Sequence, residues 1–177
     1  QRQMCIRDRT STYKFSNTNF LGGLSGKNWD AAQDSLMSGA FDDQYQYSSL
    51  ETQRHTDQSK RHDMKIERTY NAYHLEIGEI HKCGLVTQST VIDYSLKSGK
   101  DLMGQHPYYQ LPASKAVTWD NGQGAHCTET TTTEWDEWGN PKKRIDPDGA
   151  ITSWDYYYER PCDQSDENLP VDPNCPK

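Results

Sequence analysis

The sequence predicts an all-β fold made of antiparallel hairpins, and three observations support this prediction. Apolar and polar residues alternate with period two over several stretches, which is typical of half-buried strands. Short turn motifs rich in Gly, Asn, Asp and Pro separate these stretches. The chain of 177 residues has only 32% hydrophobic and 11% aromatic residues, and its mean hydropathy is -1.06. This composition suits one domain with broad, half-exposed sheets better than a compact apolar core.

The first segment, 10–63, is expected to be a loop-rich β segment. Its glycines are Gly22, Gly23, Gly26 and Gly39. A polar, charged run over residues 51–63 follows, and three interpretations stay open for it: a solvated helix face, a long hairpin tip or disorder.

Residues 64–96 predict two strands joined by a bend at Cys83-Gly84. In the second strand the bulkier side chains share one face, and short polar ones share the other. The first set is Val86, Thr90, Ile92, Tyr94 and Leu96, and the second is Thr87, Ser89 and Asp93.

A loop is expected over residues 97–110, which contain the helix and strand breakers Gly99, Gly104 and Pro107. A strand over 111–119 and a turn at Asp120-Asn121-Gly122 come next. The following segment, 125–138, is rich in Thr, which favours pleated surfaces, and it predicts another strand.

Two tight turns follow. Gly139-Asn140 predicts a two-residue hairpin turn, because a Gly in first place adopts the positive φ that such turns require. Asp146-Pro147-Asp148-Gly149 predicts a type I turn that Gly149 closes. A last strand is expected beyond it. One face of that strand would hold Ala150, Thr152, Trp154, Tyr156 and Tyr158, and the other Ser153, Asp155 and Glu159.

The turn region also repeats itself. Trp135-Asp136 recurs nineteen residues later as Trp154-Asp155, with one turn of each kind between the copies. A period in this range indicates stacked hairpins, each of which buries a face only against its neighbours.

Neither end of the chain is expected to belong to the β fold. Residues 1–9 resemble a translated sequencing adapter and are expected to be an artefact. Residues 161–177 are expected to be a truncated polar tail rich in Pro and Cys. Outside the first nine residues four cysteines remain, for which free thiols are expected although three pairings are conceivable. They are Cys83, Cys127, Cys162 and Cys175.

Charge and hydropathy exclude two classes of partner. The net charge is -7, and it becomes -9 without the first nine residues, which carry three Arg and one Asp. This acidic balance argues against a nucleic-acid surface. No run approaches the roughly 18 apolar residues of a membrane span, so direct membrane insertion is not expected.

The motifs of common enzymes are missing from the sequence. There is no His-Glu-x-x-His zinc motif, P-loop, nucleophile elbow or dinucleotide fingerprint. No catalytic residue, cofactor or metal ion is therefore expected, and the chain is not expected to be an enzyme.

Two arrangements of polar residues are possible exceptions to this expectation. His81 with Cys83, and His126 with Cys127, would supply four zinc ligands if their strands were adjacent. Asp136 and Asp155 would form a glycosidase pair only if their carboxyl groups lay about 5–9.5 Å apart in a cleft. Turn and cross-strand hydrogen bonding is the simpler interpretation of both aspartates.

A binding module is the alternative function. Exposed aromatic rings on a sheet would suit a carbohydrate or a protein partner. The candidates are Trp119, Trp135, Trp138, Trp154, Tyr156, Tyr157 and Tyr158. Rings that are coplanar and open on one face would favour binding, whereas rings packed against neighbouring strands would favour a structural wall.

The repeated motif resembles the RHS or YD repeat, with Trp where Tyr is commoner. The residues that carry the resemblance are Trp135, Asp136, Gly139, Asn140, Asp146, Pro147, Gly149, Thr152, Trp154 and Asp155. Further motifs resemble the RHS-bearing part of the B component of bacterial ABC-type (Tc) insecticidal toxins, over most of residues 10–160. They include Tyr13-x-Phe15-Ser16, Asn19-Phe20-Leu21-Gly22, Asn28-Trp29-Asp30, Arg68-Thr69-Tyr70-Asn71-Ala72-Tyr73-His74-Leu75, Gln110-Leu111-Pro112 and Trp154-Asp155-Tyr156-Tyr157.

The resemblance implies a structural function. RHS hairpins of that family wind into a hollow shell, in which the B and C components enclose a toxic C-terminal polypeptide. Residues 64–160 would then be the RHS/YD hairpin region, and 10–63 a further segment of the shell. The implied partners are the rest of the B component, the C component and the enclosed polypeptide, and the implied location is secreted or at the bacterial cell surface.

The sequence also departs from that family. The autoproteolytic motif near the end of the RHS core has no counterpart, so no catalytic residue is carried over. The docking propeller and the hypervariable toxin are also missing from the 177 residues, which we therefore expect to be a fragment of a larger gene product.

Overall fold

The fold is one open antiparallel β-sheet. The computed structural model describes residues 9–16, 44–55 and 63–156. Nine strands lie side by side in chain order, and a single 3₁₀ turn, Leu102–Gly104, is the only helical element of the described residues. The strands are β1 (Arg9–Phe15), β2 (Gln46–His55), β3 (Met64–Asn71), β4 (Glu76–Cys83), β5 (Val86–Tyr94), β6 (Pro112–Asp120), β7 (His126–Trp135), β8 (Pro141–Ile145) and β9 (Ile151–Ser153). The predicted all-β class is confirmed.

Every strand pairs with its neighbour in sequence, so the sheet is a meander. Successive connections therefore alternate between two ends of the sheet. We call the end with connections 72–75, 95–111 and 136–140 the upper end. The opposite, lower end has connections 84–85, 121–125 and 146–150.

Strand register assigns each side chain to one of two faces. Glu51, Ile66 and His81 lie opposite one another on β2, β3 and β4, on what we call the arginine face because it carries Arg68. Thr118 lies opposite Ser89 and Thr128 on the other face, which we call the threonine face.

The sheet has a very small core. Among the described residues only three hydrophobic side chains are buried: Ile66, Ala72 and Tyr73. Ile66 belongs to the arginine face, whereas the other two lie at the upper end. The small core agrees with the low hydrophobic content, and backbone ladders with cross-strand pairs must supply much of the stability.

The loop 95–111 covers the upper end. The Tyr73 hydroxyl donates to the carbonyl of Lys100, and Gln105 Nε2 donates to that hydroxyl at 2.7 Å. Gln105 Nε2 also donates to Lys97 O at 2.8 Å, and Gln105 Oε1 accepts from Lys97 N at 2.8 Å. One buried glutamine thus holds both the loop and the side chain beneath it.

Residues 64–83 form two strands and not the single strand predicted. The additional turn begins at Asn71, whose N–H donates to Leu75 O at 3.0 Å. The motif Asn71-Ala72-Tyr73-His74 contains neither Gly nor Pro, and His74 supplies the positive φ of 60° that Gly usually provides. The turn therefore lacks the Gly and Pro that mark most turns, and Asn71 is its one typical turn residue.

Three further boundaries differ from those predicted. Residues 51–55 belong to β2, so the helix interpretation of this part of the polar run is wrong, while residues 56–62 lie outside the described residues. The last strand ends at Ser153, and Tyr158 and Glu159 lie outside the described residues. At the other edge β1 begins at Arg9, the last of the nine residues set aside, which pairs with His55.

Candidate functional site

The hairpin loops share one backbone design. In four of them the N–H of an Asn or Asp donates to the carbonyl four residues on. These bonds are Asn71 to Leu75 (3.0 Å), Asn121 to Ala125 (3.2 Å), Asp136 to Asn140 (2.9 Å) and Asp146 to Ala150 (2.9 Å). The fourth residue of each loop has positive φ, namely His74 (60°), Gly124 (91°), Gly139 (84°) and Gly149 (85°). A three-residue loop with a left-handed residue at its end produces this pattern.

In three of these loops the first side chain also binds the loop backbone. Its Oδ1 accepts from the N–H groups two and four residues ahead. Asn71 accepts at 3.0 and 3.1 Å, Asn121 at 2.8 and 3.3 Å, and Asp136 at 2.8 and 2.7 Å. Asn and Asp favour such turns because their short side chains reach the backbone two residues on.

The Asp136 loop contains four of the residues predicted for the repeat motif. Trp135 ends β7 and donates through Nε1 to Pro112 O at 2.9 Å. Asp136 is buried, and Asn140 Nδ2 donates to its Oδ2 at 3.2 Å. The predicted two-residue turn at Gly139-Asn140 is wrong, because Gly139 is the fourth residue of a loop that starts at Asp136.

The Asp146 loop lies at the lower end, across β8 from the Asp136 loop. Gly149 N donates to Asp146 O at 2.8 Å, which confirms the predicted turn, with Pro147 in second place. In this loop Asp146 Oδ1 accepts from Arg144 Nε at 2.7 Å. The backbone N–H of Ala150 donates instead to Asp148 Oδ1, at 2.9 Å.

The last three repeat residues follow the Asp146 loop. Thr152 is exposed on β9, opposite Arg144. Trp154 N donates to Lys142 O at 3.0 Å, so the backbone stays beside β8 after β9 ends. Asp155 is exposed. The motif therefore divides into two loops and a flanking segment and does not converge on one cleft.

Asp136 is an ionised structural acceptor. Burial opposes its ionisation, but hydrogen bonds from Asn140, Trp138 and Gly139 outweigh burial and lower the pKa of its carboxyl group. The proton donor of a glycosidase needs a raised pKa. Both carboxylate oxygens of Asp136 accept hydrogen bonds within the loop. The glycosidase hypothesis therefore finds no support in this aspartate.

A charged cluster on the arginine face links β2, β3 and β4. Arg68 Nε donates to Glu79 Oε2 at 2.7 Å, and its Nη1 lies 3.6 Å from Glu51 Oε2. His81 Nε2 lies 2.7 Å from Glu79 Oε1 on the other side. Tyr13 OH extends the cluster to β1 by donating to Glu51 Oε1 at 3.1 Å. The cluster was not predicted, because it depends on the register of four strands.

The cluster keeps its carboxyl groups ionised. The hydrogen bond from Gln53 lowers the pKa of Glu51. Burial opposes this effect, and interactions with Ser11, Tyr13 and Arg68 add to it. Burial alone would raise the pKa of Glu79, but His81 and Arg68 reverse that effect and lower it. Charged groups that pair in this way hold neighbouring strands together.

His74 lies in an aromatic cluster at the upper end. Its Nδ1 is 3.0 Å from Tyr47 OH, and the Tyr47 ring stacks on Tyr70 at a centroid distance of 5.1 Å. Burial raises the pKa of Tyr47, so its hydroxyl stays protonated at neutral pH. These contacts give His74 a hydrogen-bonded, structural role.

The zinc hypothesis is wrong. β5 and β6 separate the strands of His81 and Cys127, and His126 lies on the opposite face from Cys127. Across the described ranges no group of three His, Cys, Asp or Glu side chains is placed to hold a metal ion. Cys83 and Cys127 are exposed free thiols, and Cys162 and Cys175 lie outside the described residues.

The tryptophans do not form one platform. Trp119 lies opposite Cys127 on β7, eight residues from Trp135 and thus roughly 27 Å away along a strand. Trp138 stands in the Asp136 loop with 70% of its surface exposed, and Trp119 is 40% exposed. The hydroxyl of Tyr156 donates to Pro141 O at 2.9 Å, which fixes the position of this ring. Tyr157 and Tyr158 lie outside the described residues.

The Asn71 loop was missed although the sequence contains a signal for it. Tyr70-Asn71-x-x-His74 aligns with Trp135-Asp136-x-x-Gly139, and in both hairpins the strand register shifts just before the loop.

No helix within residues 9–16, 44–55 and 63–156 is long and apolar enough to cross a membrane. Comparisons of the chain with protein-family models, curated proteins and solved structures find no match.

Proposed function

We propose that this chain is a wall segment of a hollow RHS/YD-type shell that encloses a toxic C-terminal polypeptide. The observation that carries the proposal is an open sheet of nine strands whose described part has three buried hydrophobic side chains. A sheet that wraps a cavity is held by backbone ladders and cross-strand pairs, and it needs no solid core.

The two outer strands support this function. Within the part of the chain that the structure describes, β1 pairs only with β2 and β9 only with β8, so each offers a row of backbone groups to a further strand. An exposed strand edge favours pairing with more β structure. A longer sheet that continues past both edges would satisfy these groups.

The repeated loop design supports the assignment to a repeat protein. The loops that begin at Asn71 and Asp136 share their hydrogen bonds and their preceding aromatic residue, although only the second has the sequence of the repeat. Loops of one design let successive hairpins continue a sheet with similar geometry.

The partners and location follow from the same proposal. The chain would adjoin the rest of a toxin B component and its C component, and it would surround the enclosed polypeptide. It would be secreted or displayed at the bacterial cell surface, and it would neither bind nucleic acid nor catalyse a reaction.

The proposal is tested on the product of the complete gene that contains this sequence. We expect electron cryomicroscopy to show the sheet continuing beyond β1 and β9 into a closed shell. We also expect the enclosed polypeptide to resist protease until the shell is opened. A product in which β1 and β9 are the final edges, or in which that polypeptide is digested as fast as when free, would contradict the proposal.

The exposure of Trp138 favours a second candidate, a binding module. A sugar or protein that stacks on this ring would shift its fluorescence, and Trp138→Ala would abolish binding. Trp135→Phe is a matched control, because the Trp135 ring is half-buried and its Nε1 is bonded to Pro112 O. Binding that survives Trp138→Ala would rule out this site.

A further inference from the structure

The lower-end loop 121–125 contains a reactive pair, Asn121-Gly122, which has no part in the proposed function. All five residues of the loop are exposed. In an Asn-Gly pair the glycine N–H can attack the neighbouring side-chain amide with little hindrance, because glycine has no Cβ. The structure around this pair contains the groups that such an attack needs.

Three hydrogen bonds surround the atoms that would react. Gly122 N, the nucleophile, donates its proton to Asp120 Oδ1 at 2.6 Å. Asn121 Oδ1, on which negative charge would develop, accepts from Gln123 N at 2.8 Å and from Ala125 N at 3.3 Å. A carboxylate on the nucleophile and two donors on the developing oxyanion are a general base and an oxyanion hole.

We propose that Asn121 is a self-modification site, at which the folded loop promotes its conversion to aspartate and isoaspartate through a cyclic imide. The reaction needs no reactant besides water.

Every atom and proton of the reaction is accounted for. The Gly122 nitrogen forms a bond to Cγ of Asn121, and its proton passes to the Asp120 carboxylate. The bond from Cγ to Nδ2 then breaks, and Nδ2 takes the proton and the electron pair to leave as ammonia. Water opens the imide at Cγ to give aspartate, or at the backbone carbonyl to give isoaspartate.

Packing explains why the reactive glycine is present. A Cβ on Gly122 would lie 2.4 Å from the backbone oxygen of Leu85, and the φ of Gly122 is +70°. The adjoining hairpin therefore admits only glycine at this position. The same requirement leaves Asn121 next to the least hindered nucleophile in the loop.

Related positions in the described chain lack one or more of these features. Asn71 opens an equivalent loop, but it is buried and Ala72 follows it. Asn140 precedes Pro141, whose nitrogen carries no proton. Asn71 and Asn140 therefore serve as internal references in the same sample.

The two products would affect the loop differently. An aspartate at position 121 keeps an acceptor for both backbone donors, as Asp136 does in its own loop. An isoaspartate adds a methylene to the backbone next to the pair Asp120 and His126, and so it disturbs the register of β6 and β7.

The first experiment compares the folded and the unfolded chain. The full chain is incubated at neutral pH in heavy-oxygen water, with and without guanidinium chloride, and electron-transfer mass spectrometry follows oxygen uptake at each Asn. We expect Asn121 to react faster in the folded chain than in the unfolded chain, and faster than Asn71 and Asn140. An equal or slower rate in the folded chain would overturn the proposal.

The second experiment uses two variants. Asp120→Ser keeps an acceptor for Gly122 N but removes the base. We expect a slowing on the order of tenfold, below the roughly 10²–10⁴-fold typical of general bases, because the loop is exposed to water. Asp148→Asn creates an Asn-Gly pair in the neighbouring loop, where Gly149 N donates to a backbone carbonyl. If the new asparagine of that variant reacts as fast as Asn121, or if a folded Asp120→Ser chain reacts at an unchanged rate, the proposed role of Asp120 is contradicted.

Discussion

At the residue scale, left-handed backbone positions shape the hairpin loops. Three of the four equivalent positions are glycine, but the fourth is His74 with φ 60°. A non-glycine residue in this conformation costs roughly 1–2 kcal/mol. The hydrogen bond between His74 and Tyr47 helps to offset that cost. Contacts therefore decide whether a left-handed position needs glycine.

The glycines are expected to differ in their tolerance of substitution. Both Gly122 and Gly149 have positive φ, but Gly122 also faces the Leu85 carbonyl whereas nothing lies within 4 Å of a Cβ at Gly149. We expect Gly149→Val to cost about 1–2 kcal/mol of unfolding free energy from backbone strain. Gly122→Val should cost about 1–3 kcal/mol more because of the clash.

Urea unfolding of both variants measures this difference, and His126→Ala on the exposed end of β7 is the control. Equal losses of unfolding free energy in the two glycine variants would show that the loop at Leu85 can move to accommodate a side chain at position 122. A larger loss for His126→Ala than for Gly149→Val would contradict the importance of the turns.

Acid is expected to weaken the fold through carboxyl groups with lowered pKa. The pKa values of Asp136 and Glu79 lie below their ordinary values of 3.8 and 4.5. Their contribution is therefore present above those ordinary values and is lost as the pH falls through the folded-state pKa. We expect a constant urea midpoint down to about pH 5 and a steep fall at lower pH.

Asp136→Asn tests the contribution of one carboxyl group. Asn71 and Asn121 occupy the same place in their loops, so this variant should keep the two hydrogen bonds that Oδ1 accepts and lose only the one from Asn140 Nδ2. The acid-dependent fall should be shallower than in the parent chain, because one titrating group is removed. An identical pH profile would contradict the assigned role of Asp136.

At the element scale, the loop 95–111 and the hairpins beneath it stabilise one another. Tyr73 lies under the loop on one side. On the other side the Asp136 loop approaches it, since a Cβ on Gly139 would lie 3.3 Å from Leu111 Cδ1. Trp135 binds Pro112 O, where the loop enters β6. The long connection is therefore fixed to two equivalent hairpin loops.

Removing the buried glutamine should release this loop. Gln105→Leu leaves the N–H and the carbonyl of Lys97 without their side-chain partner, which should cost about 1–3 kcal/mol. Hydrogen exchange at Lys97 should accelerate in this variant. Gln110→Leu, at an exposed position of the same loop, is the control and should change little. Equal effects of the two substitutions would contradict the role of Gln105.

At the scale of the whole molecule, the sheet has no second layer among the described residues, and its stability depends on each strand's neighbours. Across the described ranges the inner strands have two paired edges, whereas β1 and β9 have one. β9 is also only three residues long, and all three are exposed. Stability should therefore decrease from the middle of the sheet to its edges.

Hydrogen exchange monitored by mass spectrometry tests this gradient. We expect the slowest exchange in β3 to β6, and the fastest in β9, because fewer bonds must break to expose an edge strand. Exchange in β9 as slow as in β5 would contradict the gradient and would indicate that a further strand or layer covers that edge.

Short-range sequence patterns were enough to predict several local elements. Alternation, threonine content and turn chemistry predicted the all-β class, the bend at Cys83-Gly84, the loop over 97–110 and the turn at Asp146. These features depend on neighbouring residues, and the period of a strand or the φ of a glycine is visible in a short window.

The long-range contacts, by contrast, could not be predicted without the three-dimensional fold. It placed the turn at Asn71, where a histidine takes the left-handed position, and it gathered Arg68, Glu51 and Glu79 on one face. It also brought Leu85 against Gly122. Such contacts depend on strand register, and a shift of one residue moves every side chain of a strand to the opposite face.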